Sequence, residues 1–141
     1  MRDRIFPLAL LSVAALALSS CAMTPEEAAR AADAKAKTQA DLDKALAGLT
    51  ATDTSTCAPP TLQPSSLKAY GSTLVYTVNR KLKYVNRTSG GCETIENGDI
   101  LVTTSPSGRL CRGDIGRTVM PTSRMPSGSC SLGDFVTYRA R

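Results

Sequence analysis

Four cysteines, Cys57, Cys92, Cys111 and Cys130, are strung through the last 85 residues at separations that include no Cys-x-x-Cys pair. Zinc sites and thioredoxin-like redox sites bring cysteines in close pairs, so this spacing points away from both. The chain has no histidine, which removes the commonest metal ligand and the usual general base near neutral pH. Between Cys57 and Arg141 the apolar stock is thin, with five aromatic side chains and no tryptophan. An even number of cysteines in such a domain reads as a disulfide framework, provided that the chain reaches an oxidising compartment. No metal or other cofactor is expected.

The N-terminus supplies that condition. Arg2 and Arg4 give a positive start, diluted by Asp3, and Ile5 to Leu18 is almost wholly apolar. That run matches the apolar core of a signal peptide and is shorter than the roughly 20 residues of a spanning helix. It closes on Leu18-Ser19-Ser20-Cys21. This element resembles the lipobox of bacterial prolipoproteins, whereas an ordinary secretory signal favours a small-x-small cleavage site. The resemblance implies removal of residues 1–20 and lipidation of Cys21 by acyl chains such as palmitate. One acyl chain binds a membrane only marginally, so two or three make the anchor stable. Ala22 follows the cysteine where many inner-membrane lipoproteins carry Asp. By that sorting rule the resemblance places the chain at the outer membrane, facing the periplasm.

Residues 21–56 are expected to form a lipidated start and an Ala-rich helical spacer. Thr24-Pro25-Glu26-Glu27 is a strong helix start: a capping threonine, proline at the first helical position, and a glutamate that completes a capping box. Alanine dominates up to Leu49, and Glu26–Arg30, Asp33–Lys37 and Lys37–Asp41 sit four apart. Leu42, Leu46 and Leu49 are the only large apolar residues, so the helix reads as a solvated stalk whose last two turns dock. Gly48 is the expected stop, and the Thr- and Ser-rich stretch Thr50–Thr56 reads as a hinge.

Beyond Cys57 and the Pro59-Pro60 break the apolar period changes to two. Leu74, Tyr76 and Val78 share one strand face, Leu82 and Tyr84 share the next, and Asn79-Arg80-Lys81 is the hairpin loop between them. Further strands are expected at Leu67–Tyr70, Ile100–Thr103, Ile115–Met120 and Phe135–Tyr138. Turn signals separate them, among them Asn97-Gly98, Pro106-Ser107-Gly108 and Pro126-Ser127-Gly128. Six short strands make residues 57–141 a disulfide-stapled, mainly β domain, as a small antiparallel barrel or sandwich.

Gly-Asp followed by an apolar residue occurs three times, at Gly98-Asp99-Ile100, Gly113-Asp114-Ile115 and Gly133-Asp134-Phe135. Each reads as a turn entering a strand, with positive φ at glycine and the carboxylate bonded to nearby backbone. A calcium loop needs six or more oxygens at closer spacing. Cysteines precede two of the copies, Cys111 and Cys130, and equivalent elements are expected to find partners in the first half of the domain. Of the two connectivities that remain, Cys57–Cys111 with Cys92–Cys130 is favoured, because it clamps the domain entrance to the middle of the chain.

Cys57-Ala58-Pro59, Tyr84-Val85-Asn86, Leu110-Cys111-Arg112-Gly113-Asp114-Ile115 and Cys130-Ser131-Leu132-Gly133-Asp134-Phe135 together resemble a family of small exported alphaproteobacterial proteins. The resemblance covers roughly residues 42–141. It implies export and carries no activity or site residue.

Charge is uneven. Residues 22–56 carry four basic and six acidic side chains, whereas residues 57–141 carry eleven and five. Lys81, Lys83 and Arg87 share strand parity and make the candidate face for an anionic surface, such as lipopolysaccharide or a cell-wall polymer. Nucleic acid is not an expected partner, since few aromatics are available to stack bases. Arg112-Gly113-Asp114 and the acceptor-like Asn86-Arg87-Thr88 read as chance matches. Ser65-Ser66-Leu67-Lys68 has serine–lysine spacing but falls on a strand, where Ser65 and Lys68 point to opposite faces. The expected function is therefore non-enzymatic, a binding or structural role at the envelope. A periplasmic inhibitor of lysozyme or of a protease is the alternative, on architecture alone.

Overall fold

The computed structural model describes residues 23–141, so the leader and Cys21 lie outside the described residues. Helix α1 spans Pro25–Ala45 and starts as its sequence dictates. The Thr24 hydroxyl accepts from the Glu27 N–H at 3.2 Å, and the Glu27 carboxylate accepts from the Thr24 N–H at 2.9 Å. Arg30 pairs with Glu26 at 2.6 Å and Gln39 with Asp43 at 2.8 Å, both four residues apart. Only Leu42 on this helix is buried, which fits a stalk that docks by its end.

Eight strands follow: β1 Leu49–Ser55, β2 Ser66–Tyr70, β3 Thr73–Asn79, β4 Leu82–Arg87, β5 Ile100–Thr104, β6 Ile115–Val119, β7 Pro126–Ser131 and β8 Phe135–Ala140. They form two antiparallel sheets, ordered β1-β8-β4-β3-β2 and β5-β6-β7. Among the described residues the fold is mainly β with one α-helix and two disulfides, and the sheets do not close, which removes the barrel alternative.

Two of these strands overturn expectations. The stretch Thr50–Thr56, read as a hinge, is mostly β1, paired with β8 from Leu49 opposite Ala140 to Ser55 opposite Phe135. The five-stranded sheet thus takes in residues assigned to the spacer. Its side chains are mostly exposed, so backbone pairing rather than an apolar face holds β1 at the edge. Pro126-Ser127-Gly128, read as a turn, opens β7. Glycine is required at position 128, because a Cβ there would collide with the Gly91 carbonyl.

The five-stranded sheet is apolar on both faces. On the inner face Leu74, Tyr76, Tyr84 and Phe135 pack with Cys92, Ile95, Cys130 and Leu132. On the outer face Val75 and Val85 are covered by Leu42 of α1 and by Leu46, which caps its C-terminus, with Tyr70, Val136 and Tyr138 around them. The helix crosses this face lengthwise. Thr38 lies by Gly71 in the β2–β3 turn, and the Ala45 carbonyl accepts from Lys83 near the start of β4.

The disulfides are Cys57–Cys111 and Cys92–Cys130, closing separations of 54 and 38 residues. The two Cys–Gly-Asp elements lie against each other, with Gly113 N–H donating to Leu132 O and Leu132 N–H to Asp114 O, both at 2.9 Å. Gly98 and Gly113 have the expected positive φ, 95° and 90°. Gly133 does not, and is glycine because a Cβ would strike the Arg87 carbonyl.

Candidate functional site

The β3–β4 hairpin and the end of β8 build a cationic cleft at one end of the larger sheet. The Asn79 side-chain oxygen accepts from the Lys81 N–H at 2.8 Å, which sets the turn. Ala140 N–H donates to the Lys81 carbonyl at 3.0 Å, so the last strand is fastened beside the hairpin. The cleft has a volume of about 550 Å³ and is lined by Asn79, Arg80, Lys81, Leu82, Arg139 and Ala140. No carboxylate lines it, and none of its three cations forms an ion pair among the described residues. Such a surface attracts polyanions within about a Debye length, a reach that is long at low salt and short at high salt.

Of the three candidate residues, only Lys81 belongs to this cleft. Lys83 lies on the face that α1 covers, and its ammonium donates to the Ala45 carbonyl at the helix C-terminus. A cation there complements the negative end of the helix dipole. Arg87 is exposed at the far end of β4. The shared parity is real, but the helix and the length of the strand separate the three. Arg139 entered no candidate set, because its place beside the hairpin comes from the β4–β8 pairing, Leu82 opposite Arg139. No local pattern encodes that register.

The carboxylates between Cys57 and Arg141 all have structural partners. Glu93 accepts from Gly91 N–H and Glu96 from Gly71 N–H. Asp99 accepts from the Ser127 hydroxyl, and Asp114 accepts from Cys111 N–H at 2.8 Å. Asp134 pairs with Arg112 at 3.2 Å. No cluster able to hold a metal is found among the described residues. The Ser65 hydroxyl donates to the Thr77 carbonyl rather than to a lysine. Asn86, the acceptor-like asparagine, is fully buried.

No family model, curated protein or solved structure matches this chain. Among the described residues no helix is long and apolar enough to cross a membrane.

Proposed function

We propose that this chain is an envelope lipoprotein, anchored through lipid on Cys21, whose β fold binds an anionic envelope component without enzymatic turnover. The observation that carries the reading is the cleft of Arg80, Lys81 and Arg139, three cations without an ion pair among the described residues and with no carboxylate in the lining. Polymers bearing phosphate or carboxylate groups satisfy such a surface by several contacts, each weak alone. The engagement of Glu93, Glu96, Asp99, Asp114 and Asp134 in structural hydrogen bonds or ion pairs fits a binding role better than acid–base chemistry. Lipopolysaccharide or anionic cell-wall polymer is the expected ligand class.

The test is co-sedimentation of the full chain with lipopolysaccharide and with isolated cell-wall polymer, against a neutral glucan. Retention should fall steeply with salt and drop about tenfold in Arg80→Glu/Lys81→Glu. Unchanged retention in that variant would remove the cleft from the function. Selective capture of lysozyme or a protease would move the reading to an inhibitor. For the anchor, Cys21→Ala should accumulate as unprocessed or mislocalised precursor, and normal cleavage with unchanged membrane fractionation would end the lipoprotein reading.

A further inference from the structure

A second cleft lies where the loop after Cys57 meets the connection between β5 and β6. Its volume is about 380 Å³, at the lower end of small-molecule sites, which run roughly from 300 to 1,000 Å³. It shares no lining residue with the cationic cleft. Pro59, Pro60, Pro64 and Leu110 give it apolar walls. Those walls are fixed to each other: Cys57 is bonded to Cys111, and Ala58 N–H donates to the Leu110 carbonyl at 2.8 Å. The cleft is therefore preformed rather than assembled by a ligand.

Besides Thr103 and Ser105, two groups give the cleft polarity. Tyr76 of β3 lines it and is only 3% exposed, and its hydroxyl has no hydrogen-bond partner among the described residues. A buried hydroxyl left unpaired costs roughly 1–3 kcal/mol, and native structures rarely leave one so. Burial also pushes the phenol pKa well above its ordinary value, so the group stays a donor across the working pH range. Arg109 lies on the wall, forms no ion pair among the described residues, and meets no carboxylate in the lining.

We infer that this cleft binds a small N-acylated amino acid or peptide end with a free carboxylate. The acyl carbonyl accepts from the Tyr76 hydroxyl, an apolar side chain rests on the prolines, and the carboxylate faces Arg109. The inference is independent of the polymer-binding reading, since the two clefts are separate.

N-acetyl-leucine is a suitable probe, with N-acetyl-leucinamide as its uncharged counterpart, each titrated into the full chain by NMR. The acid should bind saturably, shift the Leu62 and Leu110 methyl signals, and bind more tightly than the amide. Tyr76→Phe keeps the ring that packs 5.9 Å from Phe135, so it should fold with an unchanged or raised melting temperature. Its affinity for the acid should fall about three- to tenfold, the worth of one neutral hydrogen bond. Arg109→Gln should erase the preference for acid over amide. Equal affinity in Tyr76→Phe would mean that a trapped water satisfies the hydroxyl and would overturn the inference. Methyl shifts confined to the exposed Ile100, Val102 and Ile115 face would overturn it equally.

Discussion

Asn86 binds both backbone groups of Gly133: its side-chain oxygen accepts from the Gly133 N–H at 3.0 Å, and its amide donates to the Gly133 carbonyl at 2.7 Å. Asn86 is completely buried on β4, opposite Phe135 of β8, so one side chain fastens the turn that leads into the last strand. Asn86→Ala leaves a buried donor and acceptor unpaired. The expected cost is about 3 kcal/mol, a fall of about 10 °C in melting temperature. Thermal unfolding followed by circular dichroism checks it, and a change of only a degree or two would show that water replaces the side chain.

The two disulfides are expected to open in order. Cys92 and Cys130 are 1% and 3% exposed and lie in the core, whereas Cys57 and Cys111 are half-buried. Graded reductant should therefore release Cys57 and Cys111 first, with the rest of the fold intact. Opening Cys92–Cys130 should coincide with unfolding. Each bond contributes about 4 kcal/mol in the chain-entropy model for loops of this size. Alkylation with peptide mapping at rising reductant decides the order, and simultaneous release of all four thiols would contradict it.

Helix α1 divides into a part that docks and a part that only reaches. Leu42→Ala should cost about 2–3 kcal/mol, since that side chain is buried against Val75 and Val85. Deleting residues 28–41 removes mostly exposed side chains and should leave the melting temperature nearly unchanged. A large fall in the deletion variant would show that the upper helix is part of the core.

Glu27 gives the helix start a pH dependence. The Thr24 N–H, and then its hydroxyl, bond the carboxylate and hold its pKa below the ordinary range. A lowered folded-state pKa means that the contribution is complete above the unfolded value and is lost as pH falls through the lower, folded one. Helicity near Pro25 should therefore decline only in strong acid. Glu27→Ala should remove that step, as read by amide exchange over the first turn.

The sequence carried most of the larger sheet, because β3, β4 and β8 alternate and their apolar residues are large. It hid β1 and β7 for different reasons. Leu49–Ser55 lies at an edge with little to bury, so no alternation marks it, although Thr50, Thr52 and Thr54 supply the β-branched residues strands favour. Pro126–Ser131 is built from turn-forming residues because Gly128 must let Gly91 approach, and close backbone approach is the other meaning of glycine in a strand. The repeat of cysteine with Gly-Asp argued against a Cys111–Cys130 bond, and the place of Cys57 at the domain entrance chose between the two pairings that remained, which is the pairing found. The cationic site was legible only in part. Lys81 carried a local signal, but Arg139 reaches it through strand pairing 58 positions along the chain.

The path of α1 across the sheet sets a distance. The helix meets the sheet near Gly71 and finishes by Lys83, at the same end as Arg80, Lys81 and Arg139. Its 21 residues extend about 30 Å back from there. On the proposed lipid anchor at Cys21, a helix directed away from the membrane would carry the cationic end out by up to that length, several times the Debye length of about 8 Å at physiological salt. The tether would then be a ruler that sets how far from the anchoring surface those cations meet their ligand.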